Sequence, residues 1–345
     1  MKQDIPKITN AIIFACSPTI FPRLVEAAEN EDGEALAQAL VDSETADPMS
    51  TQWDSVGFTK MPTLDWFARS DNHVTFNLQI NERKLPSKVR DELVTKKIAE
   101  IERTQGRKPH KKEMRLLIEE AEMELLPKAF IIRNHVLVSF TKDAKLVIWT
   151  SSMKRAERIT MLAEELLLMV DKTIVREFRQ ISHRSMPADV FTRMVKTSPG
   201  DNDTLDCGFS CVLKSSESAD APTIRVRNRD LDSSDIQTLV QSGEEYKVIE
   251  LEMLYDEGGN FSTHERNVGC TFTVNEGLIF KKLKIPGVTR ERGTDAVDAF
   301  DTELFLTLAM LLKARDALSK ELGGEGEPLL VGDRSAVSYA DDDEI

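Results

Sequence analysis

The stretch from His73 to Leu125 constrains the fold more than any other part of the sequence. It opens with strict alternation of apolar and polar residues, the apolar ones being Val74, Phe76, Leu78 and Ile80. This period of two predicts a strand with one buried face. After Pro86, apolar residues recur at steps of three to five, which is typical of an amphipathic helix. The stretch therefore predicts a strand that leads into helical structure.

Gly106 and Pro109 interrupt the helical pattern. Because these two residue types end helices, the pattern predicts two helices joined as a hairpin. Apolar residues define one face of each helix: Val89, Leu93, Val94, Ile98 and Ile101 in the first, and Met114, Leu117, Ala121 and Leu125 in the second. The connection holds five cations and no acid, namely Arg103, Arg107, Lys108, Lys111 and Lys112. This basic turn is the first candidate contact with DNA.

The rest of the chain mixes strands and helices. Val136–Thr141 and Lys145–Thr150 predict a β-hairpin, and Ser151 or Ser152 is suited to cap a helix that runs to about Val170. The second half repeats this order loosely and ends in a long helix, Asp298–Leu322. The repetition fits either a duplication or the ordinary rhythm of an α+β protein. The predicted class is α+β, with antiparallel sheets and long helices.

Four regions are predicted along the chain. Residues 1–80 form an N-terminal α+β region, and residues 81–175 form a basic region that contains the helical hairpin and the β-hairpin. Residues 176–322 form a second α+β region with a closing helix. Residues 323–345 are rich in Gly and then in Asp and Glu, which predicts a disordered acidic tail. This tail is either a solvated end that aids solubility or a DNA-mimicking regulatory element.

Charge is segregated along the chain. The net charge of −14 argues against binding of nucleic acid, because phosphates repel an acidic protein. Residues 81–145, however, hold 16 Lys and Arg against 11 Asp and Glu. Binding depends on the local surface, so this segment keeps a nucleic-acid partner open.

No cofactor, metal or membrane partner is predicted. The sequence has no Gly-rich phosphate loop and no nucleophile elbow, and its five histidines lack paired ligand spacing. Cys207 and Cys211 form a CxxxC pair without the second pair that a zinc site requires. No apolar run is long enough to span a membrane, and the start of the chain lacks a signal-peptide pattern. We expect a soluble, intracellular protein.

Two groups of carboxylates offer an enzymatic alternative. Glu82, Arg83 and Lys84 supply the ExK string of metal-dependent nucleases, and Asp65 or Asp71 would be the upstream acid. The second group combines two acids on a predicted strand with two in the next turn: Glu250, Glu252, Asp256 and Glu257. Either group would support Mg²⁺-dependent hydrolysis, yet both patterns are short and also occur on ordinary solvated surfaces.

Several motifs resemble the RdgC family of recombination-associated proteins. Glu82–Pro86 resembles the family's ELP-type motif, and Leu125–Phe130, with the sequence LLPKAF, resembles its LLPRAF signature. The charged hairpin lies between them at near-identical spacing. The likeness continues through Lys154–Glu157, resumes at Ile224–Leu231, and covers residues of about 55 to 325. The acidic tail looks like an addition to the family pattern.

The resemblance implies a function without catalysis. RdgC proteins form a ring-shaped homodimer that encloses double-stranded DNA in a positively charged hole and restrains a RecA-like recombinase by occupying its substrate. A ring of this kind can be acidic outside and basic inside. The resemblance thus implies a cytoplasmic, nucleoid-associated protein that binds DNA of any sequence. An exonuclease, and a protein whose acidic surface binds the recombinase directly, remain the alternatives.

The resemblance also indicates individual DNA contacts. Phe130 matches the aromatic residue of the signature, and Arg227, Asn228 and Arg229 match the family's basic and polar stretch before Asp-Leu. Alternatively, Phe130 is a core residue and Arg227 pairs with a local acid. The full predicted DNA-binding set adds the signature lysine and the basic turn: Phe130, Arg227, Asn228, Arg229, Lys128, Arg107, Lys108, Lys111 and Lys112.

Overall fold

The computed structural model describes residues 6–29, 33–174, 177–197, 204–215, 222–241, 246–259, 269–286, 299–326 and 329–330. The strands of this part are β1 (Ile12–Cys16), β2 (Asp54–Thr59), β3 (Phe67–Arg69), β4 (His73–Lys84), β5 (Phe130–Thr141), β6 (Lys145–Ile148), β7 (Phe178–Gln180), β8 (Leu205–Ser215), β9 (Thr223–Val226), β10 (Tyr246–Tyr255), β11 (Cys270–Asn275), β12 (Phe280–Lys284) and β13 (Leu329–Leu330). The α-helices are α1 (Ile20–Glu29), α2 (Glu34–Asp42), α3 (Ser87–Gln105), α4 (Lys111–Leu125), α5 (Met153–Val170), α6 (Pro187–Thr197), α7 (Ser234–Gln241) and α8 (Phe300–Glu321).

Two sheets organise these elements. The first has eight strands in the order β13-β7-β1-β6-β5-β4-β2, and β3 also pairs with β4. The second has five strands in the order β12-β11-β10-β8-β9. Every pair of strands in both sheets is antiparallel. The predicted α+β class with antiparallel sheets is confirmed.

The first sheet is buried on both faces at its centre. Side chains of a strand alternate between the two faces. In β5, Val136 and Val138 join one hydrophobic core, whereas Leu137 between them joins the other. β6 shows the same division, because Leu146 packs in one core and Val147 in the other. The continuous apolar runs of these strands follow from this two-sided burial.

The two cores lie on opposite sides of the first sheet. On one side, α1, α2 and α5 cover the sheet with apolar residues such as Leu24, Leu40 and Ile159, which form the first core. On the other side, the second core includes residues of the second sheet and of α6, α7 and α8. Ala11 and Phe280 join the two sheets through a pair of backbone hydrogen bonds, each 2.9 Å long.

The predicted central elements are confirmed. β4 extends four residues beyond the predicted strand, to Lys84. The β-hairpin is formed by β5 and β6, and the side chain of Ser152 accepts a hydrogen bond from the Arg155 backbone N–H and so caps α5. The closing helix is α8, which lines the second core along most of its length.

The predicted helical hairpin is formed by α3 and α4. Gly106 ends α3 in the left-handed conformation, with φ of 65°, a geometry that glycine adopts without strain. The buried residues of these two helices are Val94, Leu117 and Ala121. Ion pairs across the hairpin supplement this small apolar contact, with Arg90 at 3.3 Å from Glu122 and Lys97 at 3.3 Å from Glu124. The hairpin is therefore a charged element rather than part of either core.

The chain after α8 is tied to the first sheet. Glu325 pairs with Lys145 of β6 at 2.8 Å and with the buried Arg315 of α8. Burial raises the pKa of Glu325, but the hydrogen bonds from Lys145 and Arg315 outweigh this effect and lower the pKa to about 2. β13 then pairs with β7. Ordered structure thus continues past Gly323, the predicted start of the tail, and residues 331–345 lie outside the described residues.

No helix in the described ranges is long and apolar enough to cross a membrane.

Phe76 provides a test of the first core. Its ring is fully buried and lies 6.1 Å from the rings of both Phe58 and Phe140. We expect Phe76→Ala to lower the free energy of unfolding by about 3 to 5 kcal/mol, because the cavity left by the ring cannot close completely. Chemical denaturation measures this change. Met161→Ala, at an exposed site, serves as the control and should change stability by less than about 0.5 kcal/mol. Equal effects would contradict this assignment of the core.

Candidate nucleic-acid interface

The turn between α3 and α4 presents the predicted basic residues to solvent. Arg107, Lys108, Lys111 and Lys112 are all exposed. Lys111 and Lys112 occupy the first turn of α4, where positive charge opposes the helix dipole. Neither they nor Lys108 form an ion pair with any residue in the described ranges. Lys108 in the turn and Lys111 and Lys112 at the start of α4 are therefore three exposed cations without an acid partner in the described part of the chain.

Arg107 differs from these lysines because Glu113 holds its guanidinium group. Two hydrogen bonds of 2.7 Å join the two side chains. Glu113 also accepts a hydrogen bond of 2.9 Å from the His110 backbone N–H, which completes the capping box of α4. The hydrogen bonds from Arg107 and from the His110 backbone lower the pKa of Glu113 to about 2. Glu113 therefore stays ionised and partly neutralises Arg107.

Phe130 stands at the free end of the β4–β5 ribbon. It pairs in register with Lys84, and its side chain is 75% exposed. The alternative that Phe130 is a core residue is therefore wrong. The core residue of the signature is Leu126, which is fully buried and anchors the short 3-10 turn before the strand. Lys128 of the same turn is exposed beside Phe130.

Arg83 holds the turn that presents Lys128 and Phe130. Its guanidinium group donates hydrogen bonds to the carbonyl oxygens of Leu126 at 3.1 Å and Pro48 at 2.9 Å. The sequence pattern includes Arg83 only as the middle residue of an ExK string and gives no signal of this role. The side chain fixes the exposed end of the ribbon against the loop that precedes β2.

Arg227, Asn228 and Arg229 follow β9, an edge strand of the second sheet. Asn228 adopts a left-handed conformation with φ of 52°, which asparagine tolerates better than most residues. The backbone N–H of Arg229 donates to the Phe209 carbonyl at 3.0 Å, and its guanidinium group pairs with Asp235. Arg227 is exposed and pairs with no acid in the described part of the chain, contrary to the alternative of a local ion pair.

The predicted residues thus occupy three places. The basic turn lies at the tip of the helical hairpin, Lys128 and Phe130 lie where the hairpin returns to the first sheet, and Arg227–Arg229 lie beside the second sheet. Within each place the residues are exposed to solvent. Exposed cations beside an aromatic ring are suited to bind a phosphate backbone and to contact a base or sugar.

The carboxylates of the ExK string are engaged in ion pairs. Glu82 lies 3.0 Å from Arg155 and 3.6 Å from Lys84. Asp71 precedes β4, whereas Glu82 lies near its other end, roughly 30 Å away at the rise of an extended strand. Asp65 lies near Asp301, whose pKa is raised by burial and by this neighbouring charge. Glu82 is therefore held by basic side chains and lies far from Asp71, so these two acids do not share one metal position.

Three acids of the second group are likewise engaged by other residues. Glu250 pairs with Lys281 at 3.3 Å, and Glu257 pairs with Lys313 at 2.8 Å. Glu252 accepts a hydrogen bond of 3.2 Å from the Phe209 backbone N–H. Among the residues that the structure describes, no group of three or more His, Cys, Asp or Glu side chains is placed to hold a metal ion.

Comparison with known proteins identifies related sequences over most of the chain. Residues 19–325 match the family model described as "Putative exonuclease, RdgC". The recombination-associated protein RdgC of Pseudomonas paraeruginosa is 27% identical over 309 residues, which cover 86% of this chain and 94% of that protein. The protein of the same name from Pseudomonas aeruginosa PAO1 has the same identity and coverage, and that from Pseudomonas fluorescens Pf0-1 is 26% identical. The matched range includes all three places described above.

Proposed function

Because the chain belongs to the RdgC family of recombination-associated proteins, we propose that it binds double-stranded DNA without reading its sequence and restrains a RecA-like recombinase by occupying the DNA. The observation that carries this proposal is the group of exposed lysines at the hairpin tip, Lys108, Lys111 and Lys112, which pair with no acid among the described residues, on a protein with a net charge of −14. Cations that lack an acid partner are free to replace the counterions of DNA.

Binding would be independent of sequence because the candidate contacts are suited to the backbone of DNA. Lysines at a helix terminus position phosphates but carry no information about bases. Negative charge elsewhere on the protein does not prevent this contact, since charges beyond about 10 Å are largely screened at 0.1 M salt. The acidic remainder instead limits binding to the basic places.

We propose that two copies form a ring around the duplex. The free end of the β4–β5 ribbon supports contact between copies, because residues 130–136 of β5 pair with β4 alone among the described strands. Phe130 and Ile132 expose apolar surface there, the latter with 43% of its side chain. An open strand edge with apolar side chains is suited to pair with another chain. Phe130 also remains a predicted DNA contact, because it is exposed beside Lys128.

DNA binding is tested first by gel-shift titration across salt, with the mass of the free protein measured by light scattering. We expect a dimer whose affinity falls steeply with salt, since each phosphate contact contributes about 0.9 to the logarithmic slope. Arg227→Gln should lower this slope by about 0.9. Arg229→Gln should have a smaller effect, because Asp235 already holds that guanidinium group.

Two results would oppose the proposal. A flat dependence between about 50 and 200 mM salt would exclude binding through phosphates. A folded, dimeric Arg227→Gln variant with an unchanged slope would remove Arg227 from the interface while leaving the other contacts open.

A substitution of Glu113 should strengthen DNA binding, whereas the arginine substitutions above should weaken it. Glu113→Gln keeps an amide for the capping box but no longer neutralises Arg107, so we expect tighter DNA binding and a slope steeper by about 0.9. Glu119→Gln is the matched control, because it makes the same change of charge on α4 but releases Arg115 instead. If both variants bind DNA with the same affinity and slope, the overall charge of α4, rather than the release of Arg107, determines DNA binding at the hairpin tip.

We also propose that the protein acts without catalysis, despite the family's description. Glu82 and Glu250 are held by basic side chains, which supports a structural role for both. End-labelled duplex incubated with Mg²⁺ or Mn²⁺ should therefore stay intact. Release of nucleotides by the purified protein, abolished in Glu82→Ala, would establish the nuclease alternative and refute this proposal.

A further inference from the structure

A basic cluster lies on the second sheet, outside the predicted contact residues. Lys214 of β8 pairs in register with Thr223 of β9 on one side and with Lys247 of β10 on the other. Arg225 of β9 pairs in register with Val212, two residues before Lys214. Directly opposite residues of an antiparallel pair share a face, about 4.5 to 5.5 Å apart at their Cα atoms. Lys214, Arg225 and Lys247 therefore share one face.

This face is turned away from the core. Leu213, which alternates with Lys214, belongs to the second core, and Ile224 and Val226 on either side of Arg225 pack against it. Arg225 is exposed on the edge strand β9, and Lys214 is half-buried on the neighbouring strand β8. Arg227 follows two residues after Arg225, and the pleat of an extended chain would bring it to the same side. The cluster thus lies next to the predicted contact Arg227, on the paired strands of the sheet.

The charges of the cluster are only partly compensated. Lys247 pairs with Asp189 of α6 at 2.8 Å. Glu250, opposite Val212 on the same face, is held by Lys281 at 3.3 Å. Lys214 and Arg225 form no ion pair with any residue that the structure describes. Because like charges opposite each other destabilise a sheet, Lys214 beside Lys247 is an arrangement that an added anion would stabilise.

We infer that Lys214 and Arg225 bind the phosphate backbone of DNA and extend the interface from Arg227 across β9 to β8. This inference rests on the proposed function and adds two contacts to it. Residues at i and i+2 of one strand lie roughly 6.6 Å apart, and diagonal cross-strand neighbours such as Lys214 and Arg225 lie about 7 to 8 Å apart, so the cluster presents several cations close together on one face. Side chains on a packed sheet keep their spacing better than the same side chains on a loop would.

The test is the salt dependence of duplex binding by the full-length chain carrying both Lys214→Gln and Arg225→Gln. Loss of two phosphate contacts should reduce the logarithmic slope by about 1.8, so the fall in affinity between about 50 and 200 mM salt becomes roughly twelvefold smaller. Lys142→Gln with Lys172→Gln is the matched control: both lysines are exposed, and the first lies beside α1 on the other side of the first sheet. The control should keep the slope of the unmodified protein.

The outcomes separate this inference from the proposed function. If the unmodified protein binds with a steep slope and the two double variants behave alike, the inference is overturned and the proposed function stands. If the unmodified protein does not bind DNA, both fail. The double variant Lys214→Arg with Arg225→Lys keeps both positive charges and should bind DNA with the slope of the unmodified protein. Thermal melting confirms that each variant is folded, and a loss of slope in this charge-conserving variant would also overturn the inference, since it would indicate disturbed structure.

Discussion

The burial of the first sheet on both faces is the constraint on which the other elements depend. β1, β5 and β6 must supply apolar side chains in both directions, so Ile13 and Val147 face one core while Phe14 and Leu146 face the other. Three helices close one face, and the second sheet with its helices contributes to the core on the other. This arrangement fixes the second sheet against the first, because the second core includes side chains from both.

The β4–β5 ribbon extends from this buried centre to an exposed end. Its first half is covered on both sides, whereas its far end carries exposed residues and leads into a hairpin with little apolar contact of its own. Arg83 secures that end through backbone carbonyl groups rather than through apolar packing. Part of the candidate interface is therefore carried by regular elements, whereas Lys108 lies in the turn between α3 and α4 and Arg227–Arg229 lie in the loop after β9.

Periodic patterns predicted the centre of the fold well. β4, the helical hairpin, the β5–β6 pair and α5 follow from alternation, helical spacing and caps that are local in the sequence. The order of strands does not follow, because β1 lies between β6 and β7 and β13 joins the edge from the far end of the chain. Such pairings depend on contacts between distant residues. For the same reason Lys214 and Arg225 are not neighbours in any sequence pattern, and only the register of β8 and β9 shows that they share a face.

The candidate site shows why a count of charges is a weak guide to binding. The sequence places Arg107 next to Lys108, and Arg227 two residues before Arg229, and it does not distinguish the members of each pair. In the structure one member of each pair is held by an acid, Glu113 for Arg107 and Asp235 for Arg229, and the other is open to solvent. A cation that already has a partner must give up that interaction before it binds phosphate, so it contributes less than its formal charge implies. The local pairing of side chains, more than the net charge of −14, therefore determines where an anionic polymer is able to bind.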